Sequence, residues 1–284
     1  MKLGKTGESV PVIGYGTWRL GGGWWRPDRS KDLDAIKAIA HAVEEGSTFV
    51  DTAEAYGGGH TEELVGRALE SLEASIRGKV FIATKVDKEH LSSDQVVRSC
   101  EGSLRRLGVR QIDLLQIHWP NPSVPISDTM KAFEQLVDIG KVRYIGVSNF
   151  TSKQVEAAQS EMHRHEIQSN QVSYSMADRS PEADVLPYCK RNGLTVIAYS
   201  PLARGELPTI FKSLPALEEL SRRKGVTASQ LALCWLSAKG NVLSIPKAAK
   251  LEHIDENIAA GDLQLNQDEV ELIDRALNQR SSKL

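Results

Sequence analysis

Eight times along this chain a short β-branched or apolar run gives way to an amphipathic stretch, and that alternation limits the fold more than any other feature. The strand-like runs are 12–17, 47–51, 80–85, 112–118, 142–147, 168–173, 194–199 and 242–245. The helical patterns between them fall near 31–45, 61–74, 93–107, 127–139, 152–164, 181–192, 213–238 and 251–259, with a break expected inside 213–238. Parallel strands joined by crossover helices read this way, and eight repeats predict an α/β fold closed as a (β/α)8 TIM barrel. A doubly wound open sheet is the competing architecture. It requires Gly-x-Gly-x-x-Gly after the first strand, and the run Gly21-Gly22-Gly23 leads instead into Trp24 and Trp25 with no helix starting there.

Residues 1–11 stand outside the alternation. Leu3, Val10 and Val12 flank Gly4-Lys5-Thr6-Gly7, which predicts a β-hairpin against the barrel floor. A last helical pattern near 267–279 follows the eighth unit. The expected organisation is one domain over 1–284: hairpin 1–11, barrel 12–259, extra helix and tail 260–284. A length of 284 residues also admits two smaller domains, but barrels of this kind run to about 250 residues as one unit.

A net charge of −2 gives no electrostatic reason for a nucleic-acid or membrane partner, so a small-molecule substrate is expected. Cys100, Cys189 and Cys234 are too scattered for a disulfide framework or a zinc site, which suits a cytoplasmic protein. No run approaches the roughly 20 apolar residues of a membrane span. The triplet Ser282-Lys283-Leu284 reads as a peroxisomal address in a eukaryotic host. A monomer is the default expectation.

In such a barrel the chemistry gathers at the C-terminal ends of the strands. Strand two runs into Asp51, strand three ends at Lys85, strand four ends at His118, and Tyr56 follows Asp51 by five residues. Together these form a proton-donating centre. A free tyrosine, with a pKa near 10, is a poor acid at neutral pH. A nearby lysine ammonium is expected to lower that pKa, and a carboxylate beside the lysine keeps it charged and aimed. Asp51 thus supports Lys85, Lys85 tunes Tyr56, and His118 hydrogen-bonds a substrate carbonyl oxygen. A metal hydrolase is the rival for such a rim. It needs several His and carboxylate ligands, whereas only His118 among the seven histidines ends a predicted strand, so no metal is expected.

These residues resemble the aldo-keto reductase family over nearly the whole chain. Asp51-Thr52-Ala53-Glu54-Ala55-Tyr56, Lys85 and Ile117-His118-Trp119-Pro120 are similar to that family's catalytic tetrad in context. The block from Leu136 through Gly140-Lys141-Val142-Arg143-Tyr144-Ile145-Gly146-Val147-Ser148-Asn149-Phe150 is similar to its central motif. The resemblance implies that Ser148, Asn149 and Gln171 hold a nicotinamide carboxamide, that Tyr199 stacks on the ring, and that Ser200 and Leu202 line the pyrophosphate, with Thr17 also at the cofactor. Stacking of this kind contributes about 1 kcal/mol beyond burial.

A third block, Ile245-Pro246-Lys247 continuing through Lys250, His253, Glu256 and Asn257, departs from the family pattern. Ala248 stands where relatives have serine, and His253 where they have arginine. Both usual residues contact the phosphate that distinguishes NADP from NAD, and histidine lacks arginine's charge and planar fork at neutral pH. Lys247 and Lys250 keep positive charge there. The expected cofactor is NADPH, held less tightly than usual, with NADH also usable. Glu256 and Asn257 resemble residues that meet the adenine amine.

His118 implies ordinary carbonyl reduction, since the family branch that reduces steroid carbon–carbon double bonds has glutamate there. Trp18, Trp24, Trp25 and Trp119 are expected to form an apolar wall over the carbonyl. Small aldoses, glyceraldehyde-like compounds, methylglyoxal and aromatic aldehydes are the expected substrates. Two other functions fit the scaffold: an alcohol or sugar dehydrogenase running the reaction in reverse, and a regulatory subunit like the family's potassium-channel β-subunits.

Overall fold

The computed structural model describes residues 1–281. The triplet Ser282-Lys283-Leu284 lies outside the described residues. Eight parallel strands follow one another around the sheet in chain order: β1 (Tyr15–Gly16), β2 (Phe49–Asp51), β3 (Phe81–Val86), β4 (Ile112–Ile117), β5 (Val142–Ser148), β6 (Ile167–Ser173), β7 (Thr195–Tyr199) and β8 (Val242–Ser244). A parallel bridge between Ile13 and Ser244 joins the last strand to the first, where Gly14 N donates to Ser244 O at 2.8 Å and Ser244 N to Val12 O at 2.9 Å. The sheet therefore closes, as the alternation predicts.

The first strand is shorter than the run 12–17 because its ladder is split between two partners. Tyr15 and Gly16 pair with β2, while the residues before them serve the seam. Glycine is required at this seam. A Cβ on Gly16 would sit 2.7 Å from the Ile245 carbonyl oxygen, and one on Gly14 would sit 2.8 Å from that of Phe49.

Helices α1 (Asp32–Glu44), α2 (His60–Ser71), α3 (Ser93–Leu107), α4 (Ile126–Asp138), α5 (Ser152–Ser160) and α6 (Val185–Asn192) cover the first six strands. The stretch 213–238 is divided into helices, as expected. After α7 (Leu207–Ser213), α8 (Pro215–Lys224) begins at a proline and stops at Gly225, whose φ is +65°. The chain then restarts as α9 (Ala228–Ala238) through a capping box of Thr227 and Gln230. Next come α10 (Leu251–Ala259) and the supernumerary α11 (Gln267–Ser281). Among the described residues no helix is long and apolar enough to cross a membrane.

The N-terminal hairpin forms, with Lys2 bridged to Ser9 and Leu3 N donating to Glu8 O at 3.1 Å. Gly4 N donates to the Thr195 hydroxyl at 2.8 Å and Lys5 N to Gln168 Oε1 at 2.8 Å, which ties the hairpin to the lower ends of β7 and β6. Leu3, fully buried, packs with Phe49, Phe81, Leu114, Ile197 and Leu243 inside the barrel. Side chains two apart on a strand share a face. Climbing each strand by twos from this apolar floor leads from Phe49 to Asp51, from Phe81 through Ala83 to Lys85, from Leu114 through Gln116 to His118, and from Ile197 to Tyr199. The polarity of the barrel interior thus changes with height, and the rim receives the titratable groups.

Candidate active site

A cavity of about 860 Å³ opens at the C-terminal ends of the strands, with Asp51, Tyr56 and His118 in its wall. Lys85 lies immediately behind, with its side chain wholly buried. Its ammonium donates to Asp51 Oδ1 at 2.6 Å and to the Thr52 carbonyl at 2.8 Å, and approaches the Tyr56 hydroxyl at 3.4 Å. The Tyr56 and His118 rings meet edge to face with centroids 5.7 Å apart. Asp51, Tyr56, Lys85 and His118 therefore converge.

The expected direction of Tyr56's acidity is reversed. Burial pushes its pKa well above 10, helped by the negative charge of Asp51 and by Tyr199. An ammonium at 3.4 Å, whose shortest bond is to a carboxylate, does not overcome that desolvation. Tyr56 is consequently a neutral phenol with its proton in place across the physiological range. Burial likewise lowers the pKa of Lys85, against the opposing pull of Asp51. His118 is held well below 6.5, first by burial and then by the charge of Lys85, so its imidazole is neutral. Its Nδ1 is buried without a hydrogen-bond partner among the described residues.

Ser148, Asn149, Gln171 and Tyr199 line the same cavity. Ser148 donates to the Gln171 carbonyl at 2.9 Å, Asn149 Nδ2 to the His118 carbonyl at 3.0 Å, and the Tyr199 hydroxyl to Asn149 Oδ1 at 3.0 Å. Gln171 reaches further than the sequence suggests, since its Nε2 donates to Asp51 Oδ2 at 2.8 Å. One carboxylate thus grips the ammonium with one oxygen and a glutamine amide with the other. Asn149 has a φ of +64° and Ser200 of +52°, left-handed conformations that hold these loops in place at the rim.

Ser200, Leu202 and Lys247 also face the cavity. Burial lowers the pKa of Lys247, with Arg19 and Lys31 adding like charge. Arg19 and Arg204 line the cavity too, and sequence reasoning missed both. Arg204 sits in the loop after β7 and Arg19 directly follows Trp18, so the strand-end rule extended by a few residues finds them. Ser229, brought in from the start of α9, carries no such signal.

The remaining expected positions divide. Thr17 is buried below the rim and donates to the Asp51 carbonyl at 2.9 Å. Lys250, His253, Glu256 and Asn257 lie beyond the cavity wall. Lys250 and His253 are exposed, Glu256 accepts from the Thr227 hydroxyl at 2.5 Å, and Asn257 is buried. Trp18 and Trp24 pack against Tyr56 at 4.8 and 5.9 Å, and Trp119 joins them at the cavity. Trp25 departs from the expected wall. Its ring turns outward against His90, 5.5 Å away, because a φ of +53° reverses the chain after Trp24. Among the described residues no group of three His, Cys, Asp or Glu side chains is placed to hold a metal.

Fold and rim together define a (β/α)8-barrel enzyme. Residues 12–278 match the model of the aldo/keto reductase family, and the chain belongs to that family. It is 34% identical over 269 residues to methylglyoxal reductase YeaE of Escherichia coli, covering 94% of this chain and 91% of that protein. Among solved structures it is similar to the thermostable aldo-keto reductase Tm1743 in complex with the inhibitor epalrestat, with a TM-score of 0.91, 43% identity, and 97% and 98% of the two chains covered. An aldo-keto reductase from Klebsiella pneumoniae in complex with NADPH superposes with a TM-score of 0.86 at 34% identity, over 96% and 93% of the chains.

Proposed function

We propose that this protein reduces small aldehydes and ketones with NADPH, and that Tyr56 delivers the proton. The observation that carries this reading is the buried Asp51–Lys85 pair behind a neutral phenol that faces the cavity beside a neutral imidazole. NADPH, when bound, supplies the hydride. The residues present fit it: Ser148, Asn149 and Gln171 offer amide and hydroxyl groups deep in the cavity, and Arg19, Arg204 and Lys247 offer positive charge along its wall.

On this reading the carbonyl oxygen lies between Tyr56 and His118. The neutral imidazole N–H polarises it without giving up its proton, and the phenol transfers its own proton as negative charge grows on the oxygen. The Lys85 ammonium steadies the phenolate left behind, so its effect falls on the transition state more than on the resting acidity. Asp51, braced by Gln171, keeps that ammonium aimed. Trp18, Trp24 and Trp119 give the substrate an apolar wall, which suits methylglyoxal, glyceraldehyde-like compounds, small aldoses and aromatic aldehydes. The likeness to a methylglyoxal reductase supports placing short oxoaldehydes among them.

The test is NADPH consumption across an aldehyde panel, repeated with NADH and with Tyr56→Phe. Replacing Tyr56 is expected to lower kcat by about a thousandfold while NADPH still binds. Unchanged turnover in that variant removes Tyr56 from its role.

A further inference from the structure

A second concavity, of about 360 Å³, lies on the outer side of the aromatic wall, between the loop that bears Trp25 and the exposed face of α3. Arg98, Arg105 and Arg106 line it, with Gly102 between them, and spacings of four, seven and eight residues place all of these on one side of the helix. The acids nearby are already engaged. Glu62 accepts from Arg106 Nε at 2.7 Å and from the Thr84 hydroxyl at 2.6 Å. Glu54 accepts from Asp87 N at 2.7 Å and meets His90 Nδ1 at 3.0 Å, while Glu101 is held by Lys141 at 2.5 Å. Among the described residues neither Arg98 nor Arg105 has a carboxylate at ion-pair distance, and Arg106 Nη1 makes no hydrogen bond. A Cβ at Gly102 would stand 2.8 Å from that Nη1, so glycine is what lets the guanidinium lie there.

The opposite wall is the Trp25 indole, 47% exposed although it is large and apolar. It is held outward by a left-handed backbone and by Trp25 N donating to the Ala55 carbonyl at 2.8 Å. A bulky residue kept in that conformation, with half its ring exposed beside Arg98 and Arg105, which form no ion pair among the described residues, points to a ligand that uses both surfaces. We propose that this groove binds an aromatic carboxylate, with the carboxylate against the Arg98 and Arg105 side chains and its ring against Trp25. Guanidinium donors match the two oxygens of a carboxylate, and an indole accepts an aromatic ring edge-on or offset. The groove shares no lining residue with the large cavity, which makes it a separate site.

Calorimetric titration of the NADPH-loaded protein with benzoate tests this, and because no turnover is involved its failure leaves the reductase reading intact. Wild type is expected to show a site that Arg98→Ala/Arg105→Ala weakens by about tenfold or more, with NADPH affinity retained. The Arg98→Gln/Arg105→Gln pair keeps helix-forming, polar side chains on α3 and is expected to behave alike. Trp25→Ala weakens the same site, and cyclohexanecarboxylate binds there several-fold less tightly than benzoate. Isotherms that superimpose for wild type and both arginine variants overturn the site. Equal affinity for the two carboxylates overturns the aromatic assignment.

Discussion

Asp51 is bonded through both oxygens, to an ammonium on one side and a glutamine amide on the other, and both partners are buried. Lys85→Met strands that carboxylate in the interior and is expected to cost about 3–5 kcal/mol of unfolding free energy in denaturant melts, besides abolishing turnover. His118 contributes a pH dependence of known sign. Its folded pKa lies well below the unfolded 6.5, so the unfolded chain binds the extra proton first. Stability from this group is complete above pH 6.5 and declines at up to about 1.4 kcal/mol per pH unit below it, which melts of wild type and His118→Gln at pH 5–7 will separate. The residue types at the rim were legible because polar side chains at alternate positions interrupt otherwise apolar strands. The direction of the Tyr56 shift was not, since it depends on how much water the folded chain removes compared with one ammonium, and a sequence holds no record of that. Trp25 was misjudged for a similar reason: a single left-handed φ turns adjacent tryptophans to opposite sides.

Among the elements, the strand ladder was readable from β-branched runs, and the break expected inside 213–238 falls at Pro215, Gly225 and Thr227. The extent of β1 was not, because two neighbours compete for its backbone. That seam is open to test. Gly16→Ala would force a Cβ against the Ile245 carbonyl oxygen, and a loss of about 1–3 kcal/mol in thermal or chemical melts is expected. The segment from Lys247 to Asn257 was readable through its likeness to a family block, but the place of Lys247 at the cavity wall and the exposure of His253 required coordinates. His253→Arg is expected to tighten NADPH binding by about tenfold with little change for NADH, as read by fluorescence titration, since only the former carries the extra phosphate. Equal tightening of both cofactors would place residue 253 away from that phosphate.

At the scale of the molecule, apolar side chains fill the lower barrel and the hairpin seals it, with Leu3 as the stopper. The large cavity accordingly opens at the opposite end of the barrel, at the C-terminal ends of the strands. A vessel of that shape is loaded and emptied in sequence, because whatever lies deeper cannot leave past what lies above it. If the nicotinamide occupies the lower position, the spent alcohol departs before the oxidised nucleotide.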